Sequence, residues 1–164
     1  MWERIMQAGK AHDIRPTGPS DIRRVEAGIL NWGADIRLED TPYHVGLERL
    51  IDADKGADYV GREALRRVAR EGVNRKLVGV EVAGEKLAFN ATPLAVLARG
   101  ELVGRMTSAI WSPRLARNIG YAMVPVAHAA AGTSLTVRLP SAGDRVATVV
   151  PTPFLDQRKA IPKS

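Results

Sequence analysis

The stretch PLAVLARGELVGRMTSAIW, residues 93–111, has the pattern of two β-strands joined by a tight turn. Apolar residues recur on both sides of Arg99-Gly100, and short apolar runs bounded by a glycine turn are typical of paired strands. Gly100 has no Cβ, so it can take the positive φ that a short hairpin turn requires. The stretch predicts a β-hairpin.

The segments that flank this hairpin predict further strands. KLVGVEVAG (76–84) alternates with period two and is rich in β-branched residues, and ARNIGYAMVP (116–125) predicts a strand that ends at Pro125. SLTVRLPSAGDRVATVV (134–150) predicts a last hairpin around Ala142-Gly143-Asp144. Five or six short strands with glycine turns indicate a barrel or sandwich, and the short connections favour antiparallel pairing.

Upstream of the strands the pattern is helical. WERIMQAGKAH (2–12) places Trp2, Ile5 and Met6 on one helical face, which predicts a helix that needs a partner surface. After a proline-rich breaker, Ser20 can cap a short helix in DIRRVEAG (21–28), which Gly28 would end.

Residues 45–51, after the proline turn at Pro42, favour a short strand, with a helix left open. YVGREALRRVAR (59–70) predicts a helix that Gly72 stops.

These segments predict an α+β chain in three parts. Residues 1–73 are helix-rich, residues 74–154 are all β, and the polar segment 155–164 forms a tail. Seventy residues of the first kind bury little core by themselves. We therefore expect the front part to pack on the barrel, to pair with another chain, or to be the second half of something larger.

Composition excludes several classes of protein. There are no cysteines, and the three histidines are scattered, so we expect no metal site. No apolar run approaches the roughly 18 residues of a membrane span. The N-terminal stretch lacks an apolar signal-peptide core, so we expect a cytoplasmic protein.

The net charge of +6 could indicate a nucleic-acid partner. The arginines are dispersed, however, and aromatic residues are not interleaved with the densest basic run, residues 64–76. A solvated basic helix face explains this run better.

The order of motifs along the whole chain resembles the C-terminal part of the glycine-cleavage T-protein family, the tetrahydrofolate-dependent aminomethyltransferases and related demethylases. The motifs that carry the resemblance are WERIMQAGKAHDIRPTG, DIRRVEAGILNWGADI, DTPYHVGL, DKGADYVGREAL, NRKLVGVEV, TSAIWSPRLARNIGYAMVP and VVPTPF. The resemblance implies the second part of a folate-binding α+β region (1–73) followed by an antiparallel C-terminal β-barrel (74–154).

The first part of that region, which carries the family's catalytic aspartate, has no counterpart among these residues. No catalytic residue is therefore assigned, and activity of the chain on its own is left open.

Three residues are candidates for binding the cofactor. From the residues alone, Glu26 is an exposed helix glutamate or a partner of Arg23; the resemblance implies that its carboxylate accepts hydrogen bonds from the N–H groups of the pterin edge. Trp32 stands where the family usually has tyrosine, and either lines the cofactor cavity or belongs to the core. Lys55 either pairs with a carboxylate of the folate tail or is a solvated turn lysine.

Polar residues around the fourth predicted strand have simpler explanations. Ser108 and Ser112 have no histidine in a suggestive context, so turn and strand-end hydrogen bonding explains them better than nucleophilic catalysis. Arg114 and Arg117 could meet the glutamate tail of a folate or face solvent.

Together these observations predict the C-terminal portion of a tetrahydrofolate-dependent aminomethyl or methyl transferase that contributes to the folate site. The alternative is a non-catalytic folate-binding or interaction module. The expected partners are folate and either the missing N-terminal half as a separate chain or a second copy.

Overall fold

In the computed structural model, which describes residues 1–52, 56, 58–140, 142–158 and 160, α-helices precede a closed β-barrel. The helices are α1 (Trp2–Gly9), α2 (Asp21–Glu26) and α3 (Arg62–Glu71). The strands are β1 (Arg75–Val82), β2 (Leu94–Ala98), β3 (Glu101–Ser112), β4 (Arg117–Pro125), β5 (Ser134–Leu139) and β6 (Gly143–Val150). The predicted α+β class and antiparallel barrel are confirmed.

The barrel has the strand order β1-β4-β3-β2-β5-β6, and β6 pairs with β1 to close it. Every pairing is antiparallel. The predicted hairpin of β2 and β3 is confirmed, and its turn residues Arg99 and Gly100 have φ of 51° and 87°. Positive φ at both positions is typical of the tight turn whose twist matches that of the two strands.

Small and branched side chains fill the barrel interior. The buried residues of this core are Val80, Val82, Leu94, Val96, Met106, Ala109, Ala122, Val124, Leu135, Val137, Leu139, Ala147 and Val149. Strand β4 approaches β3 closely at Gly120, where a Cβ atom would overlap the carbonyl oxygen of Ser108. Glycine is required there because the backbones meet without room for a side chain.

A β-bulge interrupts the pairing of β3 with β4. Met106 pairs with Ala122 and Ser108 pairs with Tyr121, which leaves Thr107 as the extra residue. Met106 belongs to the barrel interior, whereas the hydroxyls of Thr107 and Ser108 both reach the carboxylate of Asp35 outside it. The bulge therefore turns two consecutive side chains toward the front part of the chain.

Helix α2 packs on the outer face of the barrel. Val25 is fully buried against Ile110, Ile119 and Tyr121 of β3 and β4. By contrast, α1 and α3 bury none of their residues. The front part is thus attached to the barrel mainly through α2 and the loop that follows it.

The predicted strand at 45–51 is wrong. Thr41 to Gly46 form turns with local hydrogen bonds, and Glu48–Leu50 is a 3-10 helix. Gly46 has a φ of 71°, which is incompatible with an extended strand. The segment contacts β1 of the barrel: the amide of Leu77 donates to the carbonyl of His44, and Lys76 Nζ lies 3.9 Å from Glu48 Oε1.

Candidate functional site

Helix α2 is a single short helix with defined ends. The predicted cap is confirmed: the Ser20 hydroxyl accepts a hydrogen bond from the amide of Arg23. Gly28, with a φ of 76°, takes the left-handed conformation after the helix end. These two residues limit the helix to Asp21–Glu26, so Glu26 is its last residue.

The Glu26 side chain is buried, with 2% of its residue surface exposed. The Ser112 hydroxyl donates to Glu26 Oε1 at 2.6 Å and accepts from the amide of Leu115 at 3.1 Å. Arg114 Nε lies 3.9 Å from Glu26 Oε2. A carboxylate offers about four acceptor sites, and the described residues fill one of them with a short hydrogen bond. The remaining capacity suits a ligand that presents N–H donors.

The backbone on both sides of Glu26 is held in place. The Tyr121 hydroxyl donates to the carbonyl of Val25 at 3.0 Å, and the amide of Leu155 donates to the carbonyl of Glu26 at 2.9 Å. Burial of the Tyr121 phenol raises its pKa above the ordinary value of 10.0, and the Asp35 carboxylate raises it further. The phenol therefore stays protonated and keeps donating over the neutral range.

A buried ionic cluster fastens α2 to the bulge of β3. The Asp35 carboxylate accepts from Arg24 Nη1 at 2.8 Å, Ser108 Oγ at 2.7 Å, Thr107 Oγ1 at 2.6 Å and the amide of Asn31 at 2.9 Å. Burial lowers the pKa of Arg24, but hydrogen bonds and charges of Asp21 and Asp35 outweigh it and raise the pKa. Arg24 is thus a permanent cation at the centre of the cluster.

Sequence reasoning missed this cluster. Asp35 is fully buried although its surroundings, NWGADI, show no period that would predict burial. The bulge at Thr107 is also without a sequence signal, because TSAIW is compatible with an uninterrupted strand. The contact of the Asp35 carboxylate with the amide of Asn31, four residues earlier, is likewise visible only in the folded chain.

The sequence-predicted binding residues lie in different surroundings. Glu26 is buried and bonded to Ser112 rather than exposed or paired with Arg23. Trp32 is 64% exposed, so the core alternative for this residue is wrong. Lys55 lies outside the described residues. No hydrogen bond or ring contact joins Trp32 to Glu26 in the part of the chain that the structure describes.

Two further predictions concern charges near the turn after β3. Arg117 pairs with Glu81 at 2.9 Å, whereas Arg114 is largely exposed and extends toward Glu26.

Among the described residues, no group of three or more acidic, histidine or cysteine side chains could hold a metal ion. Within the same residues, none of the helices has the length and apolar character that crossing a membrane demands.

Comparison with known proteins identifies relatives of this arrangement. The aminomethyltransferase of Symbiobacterium thermophilum is 38% identical over 156 residues, which are 94% of this chain and 41% of that protein. The dimethylsulfoniopropionate demethylase of Ruegeria pomeroyi is 37% identical over 91% of this chain and 40% of that protein. The chain therefore spans about two fifths of the length of the curated relatives it matches.

A solved structure has the same fold. Aminomethyltransferase T of the glycine cleavage system from Bartonella henselae superimposes with a TM-score of 0.75 and 25% identity, over 84% of this chain and 38% of that one. The glycine cleavage T-protein C-terminal barrel domain matches residues 75–156, and the GCVT N-terminal domain matches residues 1–55. The chain belongs to the glycine cleavage T-protein family.

Proposed function

We propose that this chain is the C-terminal portion of a tetrahydrofolate-dependent one-carbon transferase and forms one wall of its folate site. The observation that carries the proposal is the Glu26 carboxylate, which is buried, fixed by Ser112 and left with unused acceptor capacity. The relatives described above include an aminomethyltransferase and a dimethylsulfoniopropionate demethylase, which supports a function in one-carbon transfer.

The residues fit the pteridine part of a folate. The pterin edge presents adjacent N–H donors, and a carboxylate can accept two of them at once. Glu26 would hold this edge, and the exposed ring of Trp32 offers a flat apolar face from the following loop. Lys55 remains a predicted partner for the folate tail.

When bound, tetrahydrofolate supplies the nitrogen that accepts the one-carbon unit. This chain would contribute binding and orientation, which alone can lower a barrier by several kcal/mol when the reacting groups are held close. None of its described residues is assigned a proton-transfer role.

The front part of the chain offers a surface for the rest of such an enzyme. Helix α1 buries no residue, and Trp2 and Ile5 are 60% and 52% exposed. Ile29 and Leu38, in the loop after α2, are 58% and 90% exposed. We propose that the part of the relatives' length that this chain does not span covers these apolar side chains, as a separate chain or as part of the same one.

A non-catalytic folate-binding or interaction module is the second candidate. It is favoured by the exposed apolar side chains of the front part, which suit contact with another protein.

Titration calorimetry with tetrahydrofolate tests the proposal. We expect saturable binding by the wild-type chain and at least a tenfold loss of affinity in Glu26→Gln, because the amide replaces one acceptor oxygen with a donor that opposes the pterin N–H groups. Glu101→Gln, an exposed glutamate at the start of β3, is the matched control and should bind like the wild type.

Equal affinity of Glu26→Gln and wild type would show that Glu26 does not hold the pterin. Absence of any heat from the wild type at millimolar ligand would contradict a folate wall in this chain and favour an interaction module. If binding is found, one-carbon transfer is assayed after addition of the part of the relatives' length that this chain does not span, which separates an enzyme portion from a non-catalytic binder.

A further inference from the structure

A groove of about 500 Å³ lies on the outer face of the barrel, at the end of β3 away from Glu26. Its lining includes Arg75 of β1, Gly104 and Arg105 of β3, and Pro125 of β4. Arg105 and Ser112 are seven positions apart on β3, about 23 Å at the usual rise of a strand. The groove is therefore a separate place from the proposed folate wall.

Arg105 carries buried donors without acceptors. Its Nε and Nη2 atoms are shielded from solvent, and no acceptor among the described residues bonds them. The Nε of Arg75 is likewise shielded from solvent and has no hydrogen-bond acceptor among the described residues. Buried N–H groups in folded proteins almost always have a partner, and an unpaired one costs about 1–3 kcal/mol. Two such arginines at one groove are therefore unusual for a purely structural role.

The two arginines lie on the same face of the barrel with one strand between them. Arg75 pairs with Pro125 and Arg105 pairs with Met123, both on β4. Their backbones are thus about 10 Å apart across the sheet, which long side chains can bridge. The neighbouring loop brings Asp40, whose Oδ1 accepts from Arg75 Nη2 at 3.0 Å.

Positive charge exceeds negative charge around Arg105. The charged groups that act on it are Arg37 and Arg75 on one side and Asp40 and Glu39 on the other. Three guanidinium groups thus face two carboxylates. Burial lowers the pKa of Arg105, and the charge of Arg37 lowers it further. An added anion would relieve this repulsion.

We propose that this groove is an oxyanion site that takes a phosphate group, free or in a monoester, on Arg105 with Arg75 beside it. A phosphate carries a charge of roughly −1.5 to −2 near neutral pH and has several strong acceptor oxygens. Guanidinium groups bind it through paired N–H donors. Because no acceptor holds the Arg105 Nε and Nη2 donors, turning them toward an anion breaks no hydrogen bond.

The irregular backbone at this place supports the assignment. The pairing of β2 with β3 shifts register between Val96 and Leu97, opposite Leu102 to Gly104. Gly104 has no side chain, and a Cβ there would overlap the carbonyl oxygen of Met123. Bulges re-aim neighbouring side chains, and a glycine of this kind marks a close approach of two backbones.

The test combines thermal unfolding with NMR of the arginine Nε–H signals, using inorganic phosphate and glycerol phosphate as probes. Sodium chloride at equal ionic strength controls for screening. We expect a saturable rise of the wild-type unfolding midpoint and a shift of one buried Nε–H signal that Arg105→Gln removes. Arg105→Gln should bind phosphate at least tenfold more weakly, while Arg67→Gln, an exposed arginine of α3, should respond as the wild type does.

Without phosphate, Arg105→Gln should unfold at the same temperature as the wild type or higher, because it removes a buried unpaired charge. A lower midpoint would overturn the proposal, since Arg105 would then be structurally paired. Equal midpoint rises in wild type and Arg105→Gln would indicate a general salt effect and also overturn it. The proposal would also be overturned if no arginine Nε–H signal of the wild type shifts when phosphate is added. A response to both probes indicates a monoester site, and a response to inorganic phosphate alone indicates a site for the free ion.

Discussion

At the scale of single residues, the buried polar groups decide how the front of the chain is attached. Glu26, Asp35 and Ser108 are all inside the protein, and each has a named partner on another element. Buried carboxylates need such partners, because desolvation without compensation costs several kcal/mol. The two carboxylates differ in how many hydrogen bonds they accept: Asp35 accepts from four groups, whereas Glu26 accepts one short hydrogen bond from Ser112 and can accept more.

Asp35→Asn should therefore lower the free energy of unfolding by about 3 kcal/mol. The substitution places an amide donor against donors and leaves Asp21 as the carboxylate partner of Arg24 among the described residues, in a pair at 2.7 Å that is partly exposed. Urea unfolding followed by circular dichroism measures the effect. Asp13→Asn, in the exposed pair with Arg15, is the control and should change little. Equal small losses in both variants would contradict a structural role for the cluster.

At the scale of elements, β3 and β4 form the structural centre of the molecule. They carry the bulge at Thr107, the Ser112 partner of Glu26 and the surface on which Val25 packs. Their close approach at Gly120 allows this arrangement, because a side chain there would force the two backbones apart. The pair thus supports the barrel core on one face and α2 on the other.

Gly120→Ala should lower the thermal unfolding midpoint strongly or prevent folding. The added Cβ would collide with the Ser108 carbonyl and the Met106 side chain, and overpacking of a core commonly costs about 1–3 kcal/mol or more. Gly18→Ala, at a site with open space, is the matched control. A Gly120→Ala variant that unfolds at the wild-type temperature would show that β3 and β4 can separate without loss of the barrel.

At the scale of the whole molecule, Tyr121 couples the front part to the barrel. Its ring packs near Phe154, with ring centroids 5.9 Å apart, and its hydroxyl donates a hydrogen bond to the carbonyl of Val25 in α2. Because burial raises the pKa of Tyr121, the folded chain keeps the phenol proton at a pH where the unfolded chain releases it. The stabilisation is fully present below pH 10, the ordinary pKa, and is lost as the pH rises through the folded-state pKa.

We predict that the wild type loses stability more steeply than Tyr121→Phe as the pH rises above about 10, where the unfolded chain releases the phenol proton and the folded chain keeps it. At neutral pH the variant should be less stable by about 1 kcal/mol, the net contribution of one hydrogen bond. The two stabilities should therefore converge in alkali. Urea unfolding at a series of pH values measures the difference, with Tyr43→Phe as the matched control. Parallel curves for wild type and Tyr121→Phe would contradict the raised pKa.

The resemblance of the whole chain predicted the family and a barrel rather than a sandwich, whereas the residues themselves predicted the hairpins and the capped helix α2. The hairpins and the helix follow from local rules: period-two patterning, positive φ at Gly100 and Gly28, and a hydroxyl before a helix. The strand predicted at 45–51 was wrong because Gly46 and the local turns outweigh the apolar pattern. The domain boundaries and the roles of Glu26, Trp32 and Lys55 in binding stay predictions.

Only the tertiary structure decided which polar side chains are buried and what they meet. Glu26 meets Ser112 across 86 positions of sequence, and Ser108 meets Asp35 across 73. The unpaired donors of Arg105 are visible only where β1, β3 and β4 lie side by side. Local patterns report the conformation of the backbone, whereas these contacts depend on a bulge and on strand register, which arise when distant segments pack together.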